Sequence, residues 1–298
     1  MKNKPKLFVL VGLSGSGKST FAQELTKEEN AIIVSSDAIR EEVFNNYEDQ
    51  EHNGEVFQIF HKRIREALEN KQNVIADATN LTMKSRRAIL MNVKGLDVEK
   101  ICYIIAKQYE DCVADNMERP HHVPTKVLNK QIRKFQVPFS EEGWDQIIIK
   151  KIHNGADLYK ILSDMKNFNQ KTPYHNQKLG DHCIYTWNLF KLYNYPVFYE
   201  LAALYHDVGK LYTQSFDEDG IAHYFGHAEW SAYIFLSYFQ AKINPPADDK
   251  LLNMCFLINY HMLPFNWKTE KSKQKWKKRF GEYKYQMLLD FHECDIAR

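Results

Sequence analysis

Residues 6–25 read KLFVLVGLSGSGKSTFAQEL, and this stretch decides the fold of the first half of the chain. The unbroken apolar run over residues 7–11 predicts a strand buried on both faces. It passes into Gly12-x-x-x-x-Gly17-Lys18-Ser19, a complete phosphate-binding pattern that opens an amphipathic helix. Gly12, Gly15 and Gly17 let the backbone curl so that successive N–H groups face one anion. The helix that follows adds its unpaired N–H groups and the positive end of its dipole. Lys18 has the reach for β- and γ-phosphates, and the Ser19 hydroxyl can hold Mg²⁺. The ATP site is therefore expected at Gly12, Ser14, Gly15, Ser16, Gly17, Lys18, Ser19 and Thr20. An idle glycine-rich turn would not need strand, spacing, lysine and serine together.

Composition bounds the rest. A length of 298 residues suits two domains, each able to bury its own core. With 44% hydrophobic and 13% aromatic residues, an intrinsically disordered chain is excluded. A net charge of +2 advertises no global field for nucleic acid, so any such binding must come from local patches. The five cysteines are odd in number, scattered and free of C-x-x-C pairs, which predicts buried reduced thiols. The opening MKNKPK is unlike a signal peptide, and no apolar run reaches membrane-spanning length. The expectation is a soluble, cytoplasmic protein without a membrane partner.

Working outward from the P-loop, strand and helix alternate. Residues 31–34 form a short buried strand that ends in Ser35-Ser36-Asp37, and residues 38–44 read as helix. Residues 56–69 place Val56, Ile59, Phe60, Ile64 and Leu68 at helical spacing. Residues 74–76 are a further strand closing on Asp77-Ala-Thr79-Asn80, followed by a helix over about 82–92 and a strand over 99–106. Such alternation implies a parallel sheet covered by helices on both faces, with its site at the carboxyl ends of the strands. Asp37 and Asp77 fall there. Asp77 suits the Mg²⁺ shell, and Asp37 suits accepting a proton from an attacking hydroxyl. Each could instead be a helix N-cap, a place aspartate also favours.

Ser36-Asp37-x-x-Arg40, Asp77-x-Thr79-Asn80, Arg119-x-x-x-Val123-Pro124 and Pro138-x-x-x-Glu141-Glu142-Gly143-Trp144 together resemble the phage polynucleotide 5′-kinases and their P-loop relatives. The resemblance covers about residues 6–150. It implies that Asp37 deprotonates a 5′-hydroxyl, that Arg40 contacts the neighbouring acceptor phosphate, and that Arg119 belongs to a lid over the donor phosphates. The guanidinium fork suits phosphate oxygens. His121-His122 stand where relatives often carry more basic residues, and the relatives also include kinases of small molecules and of aminoacyl-tRNA. The basic stretch over 127–135 reads as a lid helix or as an ordinary solvated face.

Near residues 147–152 the alternation stops. His153-Asn-Gly155-Ala-Asp157 reads as a boundary, which gives an expected first domain of 1–153 and a second of 154–298. The second half is almost all helix, broken at Pro245-Pro246 and Pro264, and holds seven of the twelve histidines from His175 onward. His182 opens a helical pattern, and His206-Asp207 end an apolar helix before Val208-Gly209-Lys210. His227 starts a helix, His261 follows an apolar one, and Asp295 lies in the last. Imidazole and carboxylate from separate helices can converge on a metal such as Mn, Fe, Ni, Co or Zn. A single histidine on an apolar face is more often a hydrogen-bonded core residue, but an adjacent His-Asp pair with four such companions is not.

These residues resemble the HD phosphohydrolase superfamily over about 170–298, with His182, His206, Asp207 and Asp295 as the implied metal ligands. His227 and His261 match the extra ligands of its two-metal members, whereas His175 and His292 are weaker candidates. A bound metal would activate water and polarise a phosphoryl group, with Lys210 helping to neutralise the phosphate. The whole chain resembles bacterial and phage end-healing enzymes that join such a phosphoesterase to a polynucleotide kinase. The fold class expected is an α/β P-loop kinase followed by an all-α HD domain. The function implied is a 5′-kinase using ATP and Mg²⁺, joined to a phosphatase for 3′, 2′ or 2′,3′-cyclic phosphates. Its partners would be nucleic-acid ends, RNA favoured over DNA, with a separate ligase as a candidate. A small-molecule or nucleoside kinase fused to a nucleotidase, and an ATP-gated sensor, are the competing readings.

Overall fold

The computed structural model describes residues 4–47, 49, 51–152, 158–172, 177–240 and 248–297; the expected linker 153–157, His175 and the Pro245-Pro246 break lie outside them. The chain divides into two compact units. One comprises Met1–Asn129 and Glu142–Ile152, the other Lys130–Glu141 and His153–Arg298.

The first unit is a five-stranded sheet, built from β1 (Lys6–Val11), β2 (Ala31–Ser35), β3 (Asn73–Asp77), β4 (Glu99–Ile104) and β5 (Gln146–Ile149). Its order is β2-β3-β1-β4-β5 and every pairing is parallel. β1 is central and buried from Leu7 to Val11, as its continuous apolar run requires. β2 lies at an edge, which leaves Ile32 and Ile33 partly exposed. β5 lies at the other edge, in the stretch where the sequence pattern had seemed to end. Around the sheet run α1 (Lys18–Glu29), α2 (Ser36–Phe44), α3 (Asn53–Glu69), α4 (Met83–Asn92) and α5 (Tyr109–Met117). Phe8, Leu10, Phe21, Leu25, Ile75 and Ile101 form a core between β1 and α1.

Two details bear on the site. Ser35 caps α2 by accepting the Ala38 N–H, and Thr82 caps α4 by accepting the Ser85 N–H. Hydroxyl residues take both N-caps, so neither Asp37 nor Asp77 serves as one. Deeper in the unit, fully buried Arg86 makes a bidentate pair with Glu142, at 2.5 and 2.8 Å, and donates to the Asn80 and Leu81 carbonyls. Trp144 Nε1 donates to the same carboxylate. The closing Glu142-Gly143-Trp144 segment thus locks the loop that follows β3.

α6 (Thr125–Ile132) is the helix read as a basic lid. Its Leu128 and Ile132 are fully buried, and only one face is basic and solvated. The residues after it are core of the second unit. Phe135 packs edge-on against Tyr233, Val137 N–H donates to Asn259 Oδ1 at 2.7 Å, and Phe139 packs against Phe256 and Phe280.

The second unit is mostly helical: α7 (Leu158–Asn167), α8 (Leu179–Phe190), α9 (Phe198–Tyr205), α10 (Lys210–Thr213), α11 (His227–Phe239), α12 (Asp248–Tyr260) and α13 (Glu270–Ile296). α11 is buried almost all round and packs on α12. α13 is two helical runs joined at Gly281, whose φ is +77°. A two-residue hairpin, β6 (Ser215–Phe216) with β7 (Ala222–His223), departs from the all-helical expectation. Its turn is set by Asp217, whose Oδ1 accepts from the Asp219 and Ile221 N–H groups ahead of Gly220. All five cysteines are buried and unpaired, as expected.

Candidate active sites

The P-loop curls as its glycines require. Gly15 has φ +78°, and a Cβ there would lie 2.2 Å from the Cys112 carbonyl. Buried Lys18 leads α1, and its Nζ donates to the Leu13 carbonyl at 2.7 Å. Burial pulls its pKa down, while Asp77 and Asp37 oppose the shift and Arg119 adds to it. All three charges therefore act at the loop. Ser19 Oγ donates to Asp77 Oδ2 at 3.1 Å, which joins the helix start to the end of β3. Burial pushes the Asp77 carboxyl up, and Lys18 restrains it. The Ser16 hydroxyl is buried without a hydrogen-bond partner in the loop. Inward N–H groups, a lysine and a Ser/Asp pair fit a nucleoside triphosphate with Mg²⁺.

Asp37 is held from two sides. Arg40 donates to its Oδ1 at 2.9 Å and the Tyr47 hydroxyl to its Oδ2 at 3.1 Å. Arg40 is 6% exposed, and its other nitrogens are engaged by the Asp49 carbonyl and Asn53 Oδ1. Its geometry is that of a brace for Asp37. Arg119 donates to the Tyr47 hydroxyl at 3.1 Å, and Tyr47 stacks on His121. Tyr47 went unnoticed in the sequence. Its one signal was being a lone aromatic in the polar run NNYEDQEHN.

In the second unit, the six expected ligands come together. His182, His206, Asp207 and Asp295 form one group and Asp207, His227 and His261 another, with ligand atoms within 4.8 Å in each. Asp207 belongs to both. Its Oδ2 lies 3.5 and 3.4 Å from His182 and His206 Nε2, and its Oδ1 lies 3.2 and 3.6 Å from His227 and His261 Nε2. Asp295 Oδ1 sits 3.1 Å from both His182 and His206.

The tautomers follow from the surroundings. His206, His227 and His261 each place Nδ1 within 2.7–2.8 Å of the carbonyl three residues earlier. Nδ1–H then donates outward and turns the Nε2 lone pair inward, the usual arrangement for metal-bound histidine. His227 and His261 Nε2 stand only 3.4 Å apart, and Asp207 Oδ1 is buried with no hydrogen bond. His227 Nε2, His261 Nε2 and that Asp207 oxygen, acceptors facing one another, fit a divalent cation. Within the cluster itself, burial works against ionising Asp207, but Lys210 and His206 hold its carboxyl well below the usual range. Burial likewise opposes a charge on His206, yet Asp207 and Asp295 raise it well above the ordinary value. For His261 burial dominates and pulls the pKa down.

Lys210 Nζ is 2.7 Å from Asp207 Oδ2 and 2.8 Å from Gln170 Oε1, so it braces the ligand as well as lining the cleft. His292 lies outside both groups and packs edge-on against Phe265. Gly209, unremarked in the sequence, lets the His206-Asp207 turn reach α11. A Cβ there would sit 2.2 Å from the His227 carbonyl, and its N–H donates to Ser231 Oγ.

Two family models match this chain. The AAA domain family matches residues 7–138, and the HD domain family matches residues 179–293. An L-seryl-tRNA(Sec) kinase from Methanococcus maripaludis is 31% identical over 178 residues, covering 55% of this chain and 68% of that protein. Among solved structures, a chain of a Pnkp1/Rnl/Hen1 RNA repair complex is 24% identical with a TM-score of 0.41, covering 45% of each chain. A putative kinase from Chloroflexus aurantiacus is 15% identical with a TM-score of 0.42, covering 53% of this chain and 95% of that one. The chain spans less than half the length of the RNA repair chains it matches. Among the described residues, no helix is long and apolar enough to cross a membrane. The chain belongs to the P-loop kinase family of the seryl-tRNA(Sec) kinase and carries an HD domain in the same polypeptide.

Proposed function

We propose that the chain is an end-healing enzyme that phosphorylates 5′-hydroxyl ends of RNA or DNA with ATP and removes phosphate from 3′ ends, RNA being favoured. The 3′ substrates include 2′,3′-cyclic and 2′ phosphates. One observation carries the reading: a braced carboxylate beside a P-loop and a convergent His/Asp cluster stand in the same chain. Adding and removing phosphate on one small molecule would waste ATP, whereas the two ends of a broken strand need opposite treatment.

In the kinase step the P-loop N–H groups and Lys18 hold the donor phosphates, and Ser19 with Asp77 holds Mg²⁺. Asp37 takes the acceptor hydroxyl proton as the new P–O bond forms and the bond to the β-phosphate oxygen breaks. Arg40 and Tyr47 fix the direction of that carboxylate. Arg119 stabilises charge on the transferring group. In the HD domain His182, His206, Asp207 and Asp295 would hold one divalent ion, and Asp207, His227 and His261 would hold a second, from among Mn, Ni, Co, Fe and Zn. Such ions polarise the phosphoryl group and lower the pKa of water. Lys210 keeps Asp207 charged and directed at both groups.

The 31% identity to a seryl-tRNA(Sec) kinase supports a second reading, in which the acceptor hydroxyl is carried by a tRNA-borne amino acid. The test is incubation with γ-labelled ATP and Mg²⁺ on 5′-hydroxyl RNA, 5′-hydroxyl DNA and seryl-tRNA. Parallel reactions with Mn²⁺, Ni²⁺ or Co²⁺ use 3′-phosphate and 2′,3′-cyclic ends. Label at 5′ ends and loss of 3′ phosphate are expected. Label on seryl-tRNA alone selects the second reading, and label on none of the three rejects both.

A further inference from the structure

The HD cluster opens into a cavity of about 650 Å³, far more than a phosphate group needs and within the range of small-molecule sites. Its lining includes His182, Asp207, His227 and Asp295 of the cluster together with Lys210. Phe225, Met262 and Phe265 also line it. Phe225 is 68% exposed and Phe265 44% exposed, an unfavourable state for large apolar side chains. Phe225 lies parallel to the His223 ring, with centroids 5.6 Å apart and planes at 7°, so its remaining face is open. Phe265 is propped edge-on by His292, at 4.3 Å and 83°.

Both rings are tied to metal-site residues by very short stretches of chain. Phe225 precedes His227 by Gly226 alone, and Phe265 stands in the 3₁₀ turn Leu263–Asn266 directly after His261 and Met262. The same backbone turns that place His227 and His261 therefore also place the rings in the cavity wall. An exposed cation is near: the Arg133 side chain lies over Gly226, where a Cβ would come within 2.9 Å of its Cγ. The site offers a charged end for a phosphoester and exposed aromatic rings a few residues from the ligands. A substrate with a planar heteroaromatic group near its phosphoester matches that lining. A sugar phosphate or a free phosphate would leave the rings unused.

We propose that Phe225 and Phe265 form a stacking subsite for the terminal nucleobase, so that the HD domain cleaves the phosphoester of a nucleotide and holds it by its base. This rests on the phosphoesterase reading above. Stacking on an aromatic face accepts every base, so the subsite should select for a base without selecting its identity.

The experiment compares RNA oligonucleotides ending in adenosine 3′-phosphate with the same oligonucleotides ending in an abasic 3′-phosphate, using the full chain with Mn²⁺. The abasic end should lose about 10–100-fold in kcat/KM, mostly through KM. Phe225→Ala and Phe265→Ala should bring the adenosine end down toward the abasic one while leaving the abasic end unchanged, and Phe225→Trp should restore it. A readout independent of turnover is calorimetric binding of adenosine 3′-monophosphate to the chelator-treated protein, which both alanine variants should weaken by a similar factor. Equal processing of the two ends, equal loss on both in Phe225→Ala, or preference for a phosphotyrosyl peptide would each overturn the inference. Failure to cleave any phosphoester would instead reject the phosphoesterase reading, and the calorimetry would still decide the subsite.

Discussion

The P-loop site and the HD cluster solve the problem of buried charge in opposite ways. At the P-loop the chain supplies its own partners. Lys18 Nζ rests on the Leu13 carbonyl, Arg40 engages three separate groups, and Asp37 accepts from both Arg40 and Tyr47. One half of the HD cluster leaves acceptors facing acceptors. His227 and His261 Nε2 stand 3.4 Å apart, beside an Asp207 oxygen that accepts no hydrogen bond. Apart from the Ser16 hydroxyl, the first arrangement pairs its charged groups internally, and a substrate would replace those contacts. The second is incomplete until a cation joins it, because buried polar groups without partners are costly.

The sharpest way to break this comparison is to remove one charge from each site. Lys18→Ala takes away the only side-chain cation of the P-loop, so kinase activity should fall about 10²–10³-fold with phosphatase activity intact. Asp207→Asn takes away the carboxylate shared by both ligand groups and should abolish phosphatase activity while sparing the kinase. It also strips Lys210 and His206 of their counter-charge, and breaking a buried pair from one side costs about 3–5 kcal/mol. Denaturant unfolding followed in each unit should show that loss for Asp207→Asn and none for Lys18→Ala. Loss of both activities in either variant would mean that the two sites are not independent.

The two sites also differ in how legible they are from sequence. The P-loop is readable because eight consecutive residues carry both its shape and its chemistry, and β1 must be buried to present it. The HD ligands were readable only as types. His182 and Asp295 are 113 positions apart, and only the folded chain brings them within 3.1 Å. What stayed hidden has a common cause. Tyr47 acts through a hydroxyl reaching Asp37 ten residues earlier, and Gly209 through a close approach to α11. Neither leaves a periodic trace, since both depend on which elements pack together. The basic face of α6 misled in the opposite sense. Its lysines were visible in sequence, but the destination of Phe135, Val137 and Phe139 was not.

Chelation offers a second, smaller test. If the HD cluster is completed by cations, removing them should lower hydrogen-exchange protection in α11 and α12 and leave β1 and β3 unchanged. Restoring Mn²⁺ to about a hundred times its dissociation constant should return about 2.7 kcal/mol per filled site to the helical unit alone. The His227→Ala/His261→Ala variant sharpens this. It should keep one tightly held ion, because His182, His206, Asp207 and Asp295 remain, while phosphatase activity falls severely. Equal metal content in variant and parent, with activity preserved, would make the site mononuclear.

The smallest effect is expected at Tyr47, and it probes whether the internal contacts of the kinase site matter during turnover. Burial, followed by the Asp37 charge, pushes the Tyr47 phenol up, so the hydroxyl keeps its proton and remains a donor to Asp37 at working pH. The same oxygen accepts from Arg119, so one hydroxyl sets the spacing of a carboxylate and a guanidinium. Tyr47→Phe removes that hydroxyl and keeps the ring that stacks on His121. One hydrogen bond is worth about 0.5–1.5 kcal/mol, which corresponds to about a 2–13-fold fall in kcat. The KM for ATP should not change, because Tyr47 does not touch the P-loop partners of Lys18 or Ser19. A matching fall with 5′-hydroxyl oligonucleotide and with a mononucleoside acceptor would place the effect on Asp37 itself, where the geometry puts it. An unchanged kcat would mean that substrate displaces this hydrogen bond before transfer, and the brace on Asp37 would then be Arg40 with the longer Ser36 hydroxyl contact.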